Sequence, residues 1–334
     1  MEKTTNRKRR SFTPTGTETI AVKMENVSSM ELFAQPDGHY LKVLYDLSLT
    51  VPVGECHGIT GEGAFELQLV SEIIGNVKPH EKGLCSLMEI GMMRQKRRIL
   101  PHVYYINDQR VLFDHMHVLG YLMFASEHAP GSAAQKQAHW LKLLLRTGLY
   151  PFALTYIHSL NPAEYALVSA LLAYGSAARL VVMDLSRIDV PHALFDPFAA
   201  LMRELTDAGK TVVVANRSRE LIQRACTSAS FLIDGTIAAS GAIPVLCANY
   251  DRRVLTVETP QPDAACDALR SAFPALRVAC EDSGVSLYRS GSNAEPCDVS
   301  CAAAALEAAH VPFSAVRLPG PSLEQAYREV KRTL

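Results

Sequence analysis

Neither sign of charge prevails in this chain of 334 residues: 33 lysines and arginines stand against 34 aspartates and glutamates. No global basic field exists to hold a nucleic acid by counterion release, so no nucleic-acid partner is expected. Long apolar runs are missing too. The longest, from Ala166 to Met183, is interrupted by Tyr174, Gly175, Ser176 and Arg179. No window supplies the ~20 apolar residues that a membrane-spanning helix needs. The eight cysteines (Cys56, Cys85, Cys226, Cys247, Cys266, Cys280, Cys297, Cys301) lack an organised pattern and follow no secretory leader. They read as small buried hydrophobes in a reducing compartment. The one close pair, Cys297 and Cys301, has no matching Cys or His pair, so no metal site is expected there. What is present is ordinary globular material: 48% hydrophobic and 20% charged residues, which excludes extended disorder away from the ends. At ~150 residues per domain, the length favours two domains.

Residues 1–20 are polar, with a basic run from Arg7 to Arg10, and read as a flexible tail. From Ile20 onward strand-like and helix-like runs alternate. Val43 to Val51 forms a half-alternating strand, and ECHGIT runs into a glycine turn at Gly61 and Gly63, followed by the helical run FELQLVSEII. Further on, Ala178 to Asp184 and Lys210 to Asn216 are continuous apolar strands of the buried parallel kind, with a helix-patterned segment between them. Ser230 to Gly241 has the form of a hairpin turning at Asp234 and Gly235. The section from about 111 to 160 is mostly helical, as if inserted. Strand, glycine turn, helix, then buried strands joined by a helix, is an α/β layered pattern. A second unit begins near Asn249 in the order strand-helix-strand-strand-helix-strand, which predicts a small α+β ferredoxin-like domain.

A strand ending in a glycine turn that opens a helix is the geometry of a phosphate cradle. The stretch DLSLTVPVGECHGITGEGAFELQLVSEIIGNVKPHEKG resembles the first third of the nucleotide-binding domain of ABC transporter ATPases. Four further landmarks keep that family's order. INDQRVLFDHMHVLGYLMF resembles the Q-loop region, and HSLNPAEYALVSALL resembles the signature motif with its helix. ARLVVMDLSRID resembles Walker B, and TVVVANRSRELIQRACTSASFLIDGTIAASG resembles the switch-histidine strand and final hairpin. The C-terminal part, through VRLPGPSLEQAYREV, resembles the accessory domain of exporter-type ATPases. The resemblance implies a P-loop NTPase-like ABC nucleotide-binding domain over residues 21–245, with its helical subdomain at about 111–160, and an accessory domain over 250–334.

That family needs a Walker A lysine on the β- and γ-phosphates, a hydroxyl on Mg²⁺, a Walker B aspartate, a water-orienting glutamate and a γ-phosphate-sensing histidine. Aligned with a one-residue deletion, Glu66 takes the lysine position and Leu67 and Gln68 the hydroxyl pair. Aligned without a gap, Leu67 takes the lysine position. Unit charges ~4 Å apart at an effective dielectric of 20 interact by ~4 kcal/mol, so an acid here opposes a triphosphate. Asp184 survives at the Walker B aspartate, but Leu185 stands for the glutamate, and an alkyl chain cannot orient water. Arg217 replaces the histidine, Asp108 aligns with the Q-loop glutamine beside Gln109, and Pro191 falls at the D-loop aspartate. The signature equivalents are Leu160, Asn161, Pro162, Ala163 and Glu164, without its glycines.

Taken together these departures predict a non-catalytic homologue, with no catalytic residues. Gly61, Gly63 and Asp184 remain as remnants of the nucleotide site. No cofactor is expected, and ATP with Mg²⁺ is expected to bind weakly. Residue by residue, Gly61 and Gly63 read first as a tight turn and Asp184 as a cap on the turn after its strand. His115 and His117 lie two apart without a third ligand, and Trp140 with Leu141 to Leu145 reads as a helical core stripe. The partners implied are a membrane permease subunit and a second ABC ATPase subunit, the same chain or another, at the inner face of the cell membrane. Two alternatives compete: an active ATPase with divergent motifs, and a soluble regulatory binding protein.

Overall fold

The structure is a computed structural model that describes residues 19–34, 39–109, 115–281, 284–289 and 298–334. The tail expected over residues 1–20 lies almost wholly outside the described residues, as does Cys297. The chain divides into two compact units, residues 1–243 and 244–334.

The first unit contains, in chain order, β1 (Ile20–Ser28), β2 (Leu32–Ala34), β3 (Tyr40–Lys42), β4 (Leu47–Pro52), β5 (Cys56–Thr60), α1 (Ala64–Ile74), β6 (Lys82–Leu87), β7 (Ile90–Gly91), α2 (Met92–Ile99) and β8 (Val103–Ile106). It continues with α3 (Val118–Ala125), α4 (Ala133–Arg146), α5 (Pro162–Gly175), β9 (Leu180–Asp184), α6 (Phe195–Asp207), β10 (Thr211–Ala215), α7 (Arg219–Ala225), β11 (Ser228–Ile233) and β12 (Thr236–Ala242). Two sheets result. One is antiparallel, in the order β4-β1-β6-β7, and the other has six strands in the order β12-β11-β5-β10-β9-β8. Strands β11, β5, β10, β9 and β8 are parallel, with β12 returning antiparallel at the edge.

Composition explains the difference between the sheets. LSLTVP in β4 alternates buried and exposed residues, as a strand with one wet face must. β5, β9, β10 and β11 of the six-stranded sheet are buried at every position because helices and the antiparallel sheet cover its faces. Helix α1 lies between the two sheets, and its Leu67, Val70 and Ile74 share one core with Met24 and Leu49 of the first sheet and Ile59, Val182 and Val213 of the second. The expected strand over Val43 to Val51 starts later, at Leu47, because Val43 to Asp46 receive the β11–β12 turn instead. Tyr45 N–H donates to Gly235 O at 3.1 Å. Asp234 and Gly235 both have positive φ (47° and 76°), the two-residue turn that matches strand twist. Any side chain on Gly235 would strike the Val43 carbonyl.

Lys210, just ahead of β10, is buried and donates its ammonium to the carbonyls of Ser176 (2.8 Å) and Ala178 (2.7 Å), closing the end of α5 against the sheet. Burial pulls its pKa down.

After α8 (Ile243–Tyr250), the second unit follows with β13 (Arg253–Glu258), α9 (Pro262–Ala272), β14 (Leu276–Glu281), β15 (Gly284–Arg289), α10 (Val299–Ala308), β16 (Ala315–Arg317) and α11 (Leu323–Thr333). Its sheet is antiparallel, in the order β14-β15-β13-β16. This is the strand-helix-strand-strand-helix-strand arrangement of the ferredoxin-like fold. Leu255, Val257, Leu269, Leu287 and Leu306 centre its core. One expectation is corrected here. Cys266 on α9 and Cys280 on β14 are joined by a disulfide. They are fourteen positions apart, and the segment between them carried no local sign that helix and strand would meet.

Candidate functional site

The carboxyl ends of the parallel strands form the natural crevice of such a sheet. Ile59, Ala215 and Asp184 stand in one register row across β5, β10 and β9. Two strand spacings, about 10 Å, therefore separate the end of β5 from the end of β9. The sequence-predicted residues collect at these two ends as separate groups.

At the end of β5 the loop is short. Gly61, Glu62 and Gly63 are all that lies between the strand and α1, so Ala64, Phe65 and Glu66 already belong to the helix. Gly61 is required by packing: a side-chain carbon there would lie 2.6 Å from the Leu232 carbonyl oxygen. Gly63 is the N-cap, and a side-chain carbon on it would collide with Oε2 of Glu66. The Glu66 carboxyl is thus turned back over the N-cap residue of its own helix. It holds the third helical position, from which a capping-box glutamate acts. Burial first, then the neighbouring charges of Asp234 and Glu62, push the Glu66 carboxyl above its usual range. Leu67, the other residue aligned with the lysine, is fully buried in the core. Gln68 donates to Glu72 at 2.8 Å, one turn further along the helix. Phe65 meets Phe33 of β2 edge-on, with ring centroids 6.0 Å apart, over the start of α1. The nearest lysines are engaged elsewhere: Lys42 with Glu81, and Lys78 with Glu72 and Glu31.

At the end of β9, Asp184 is 6% exposed and surrounded by its own chain. One carboxylate oxygen accepts from Ser186 N–H (3.2 Å) and hydroxyl (2.6 Å), and the other accepts from the Tyr105 hydroxyl (3.1 Å). Burial raises the pKa, and these bonds pull against it. Leu185 is wholly buried. Asn216 fixes the adjacent loop by donating to the carbonyls of Leu185 and Ile188, and Arg217 beside it is exposed. Asp108 and Gln109 are exposed beyond β8.

The signature equivalents open α5 and do not join either group. Asn161 caps the helix by accepting from Glu164 N–H (2.9 Å), and the Glu164 carboxylate accepts from Asn161 N–H (2.8 Å). Pro162 takes the first helical position, where its missing N–H costs nothing.

Two features escaped sequence reading. His57 in the middle strand β5 is buried, with Nδ1 2.8 Å from the Ser228 hydroxyl and Nε2 2.8 Å from that of Ser230. Ser228 donates onward to Glu55 (2.9 Å), so Nδ1 carries the proton, and Nε2 accepts from Ser230, which lies 2.7 Å from Ser240. Burial lowers the His57 pKa to about 4. Serines at alternate positions of β11 were the available signal. The second is a hollow of about 960 Å³ lined by Tyr104, Tyr121, Lys136, His139, Trp140 and Leu172. Trp140 is buried as expected of a core stripe, yet it also walls this hollow. Leu145 departs from the stripe and is 61% exposed. His117 packs on Tyr156 at 4.3 Å between centroids, and among the described residues no cluster of three metal-binding side chains occurs.

The six-stranded sheet with its buried α1 and inserted helices is the fold of ABC-type ATPases, within the P-loop NTPase class. Solved structures bear this out at the level of fold. A dimeric ATP-binding cassette in a post-hydrolysis state with ADP and Pi superposes with TM-score 0.53 at 18% identity, over 66% of this chain and 98% of that one. CbiO1 of Clostridium perfringens, part of the transporter complex cbiONQ, gives 0.54 at 13% identity, over 77% and 97%. No protein-family model matches. In sequence, the chain is 25% identical over 236 residues to the methionine import ATP-binding protein MetN 1 of Burkholderia orbicola. The same protein of Burkholderia lata matches equally. Each match covers 66% of this chain, and the chain spans 65% of the relatives' length. The chain is thus similar in sequence to ATP-binding proteins of ABC import systems and shares the fold of ATP-binding cassettes. No described helix is long and apolar enough to cross a membrane.

Proposed function

We propose that this chain is a non-catalytic homologue of an ABC nucleotide-binding domain, acting as a structural or regulatory subunit of a membrane transport complex. The observation that carries the reading is the Glu66 carboxylate lying over Gly63. A helix N-terminus attracts phosphate through free N–H groups and its positive dipole end. Here the chain's own Glu66 carboxyl lies beside Gly63 at that end, in a three-residue loop without a cation. These residues do not suit a magnesium triphosphate. Leu185 supplies no base at the end of β9, and Asp184 is committed to Ser186 and Tyr105.

Its partners are a permease subunit, docked on the helical segment at about 111–160, and a second ATP-binding subunit, identical or different. The complex places the chain at the inner face of the cell membrane. The hollow walled by Trp140 and Tyr121 supports the first contact by giving an amphipathic segment a mostly apolar seat. The accessory role of the second unit belongs to the same proposal.

Calorimetric titration of the purified chain with Mg-ATP tests the reading, paired with phosphate release measured alone and with a candidate partner subunit. Expected are a Kd weaker than about 1 mM and no turnover by the chain alone. Micromolar affinity, or robust hydrolysis by the chain alone, would overturn it.

A further inference from the structure

Cys56 opens β5 and Cys226 follows the last residue of α7, and their sulfurs lie 3.5 Å apart. Both are buried, at 2% and 9% exposure. The approach has a local cause in the sequence. Gly58, two residues along β5, offers α7 no side chain: a Cβ there would collide with Ile222 and come within 3.3 Å of the Cys226 sulfur. The helix therefore settles onto the strand. Thr227 then fixes the two backbones, donating its N–H (2.9 Å) and its hydroxyl (3.0 Å) to the Cys56 carbonyl. The two sulfurs thus stand about 1.5 Å beyond a bonded ~2.05 Å, between main chains that Thr227 holds together.

We propose that Cys56 and Cys226 form a redox modification site, a dithiol that a small-molecule disulfide of the glutathione class converts into an intramolecular disulfide. One cysteine, as thiolate, attacks a sulfur of glutathione disulfide. That S–S bond breaks, and one glutathione leaves with the electron pair. The second cysteine gives up its proton and attacks the mixed disulfide, expelling the other glutathione. Two protein sulfurs are oxidised, two glutathione sulfurs are reduced, and the two protons end on the departing thiolates.

The bond ties the strand that runs into the Gly61 turn to the helix α7, across 170 positions of sequence. The neighbouring Cys56 sulfur and burial push the Cys226 thiol well above its ordinary pKa, so exchange proceeds through transient local opening and is slow. The disulfide between Cys266 and Cys280 serves as an internal standard.

The test uses the full chain, reduced with a phosphine and then equilibrated in glutathione buffers of increasing oxidation, ending in glutathione disulfide alone. Samples are acid-quenched, unfolded, alkylated and peptide-mapped without reduction. The expected result is a cross-linked peptide pair containing Cys56 and Cys226, neither of which takes the alkyl label. In Cys226→Ser the cross-linked pair is lost and Cys56 carries glutathione or the alkyl label, and should that variant fail to fold, the map of the natural sequence alone decides. Alkylation of both residues of the natural sequence at a poise where Cys266 and Cys280 have rejoined overturns the proposal. So does glutathione retained on either cysteine of the natural sequence.

Discussion

Glu66 and Glu164 occupy the same place on two different helices. Each is the third residue of its helix, α1 or α5, and each turns its carboxylate back toward the N-cap residue, Gly63 in one case and Asn161 in the other. The two helix ends that the family resemblance would give to phosphates are thus both met by an acid of the chain itself.

Reversing the charge at one of these ends should restore the lost attraction. Glu66→Lys is expected to tighten ADP binding at least about fivefold relative to the natural sequence, because it exchanges repulsion for attraction of order 1–4 kcal/mol, depending on screening. Titration calorimetry at low salt measures it, with the advantage fading as salt is added. Unchanged affinity would separate the acid from the exclusion of nucleotide.

The reciprocal pair on α5 carries an ordinary capping energy. Asn161→Ala removes the acceptor for Glu164 N–H and is expected to cost about 1 kcal/mol, read as a lower denaturant midpoint with unchanged slope.

His57 sets an acid limit. Its pKa is lowered from 6.5 to about 4 in the fold, so between those values the unfolded chain binds a proton that the folded chain refuses. Stability therefore falls as pH drops from 6.5 toward 4, and below that this residue adds nothing further. The full swing is at most about 3 kcal/mol. Denaturation measured at pH 7, 5.5 and 4 checks the slope, and His57→Leu should flatten it while lowering stability at pH 7, where the bonds of Ser228 and Ser230 to the ring are lost.

Gly61 tests packing separately from binding. Gly61→Ala sets a methyl 2.6 Å from the Leu232 carbonyl oxygen, and an overpacked contact against backbone costs about 1–3 kcal/mol. A fall in Tm of several degrees is expected; an unchanged Tm would mean that the β5 turn has room to move.

The strands at the centre of the fold were readable because β9 and β10 are unbroken apolar runs, and the β11–β12 turn because Asp234-Gly235 demands positive φ. Around the candidate site, sequence fixed the identities of Gly61, Gly63 and Asp184 but not where α1 would begin. Gly63-Ala64 has no polar capping side chain to mark a helix start, so the reach of Glu66 over Gly63 was invisible. The partners of His57 and Cys56 were hidden for another reason. They arrive from β11 and the end of α7, some 170 positions later, and pairing at that distance is decided by strand order.

Lys210 has a chemical consequence. Its amine is spent on two carbonyls and shut away from water, while an acylating reagent needs a free, reachable lone pair. In pulse labelling of the native protein Lys210 should be the slow lysine, untouched while exposed ones such as Lys96 and Lys142 are modified. The moment it does react would time the parting of α5 from the sheet, giving this seam a clock that needs no engineered probe.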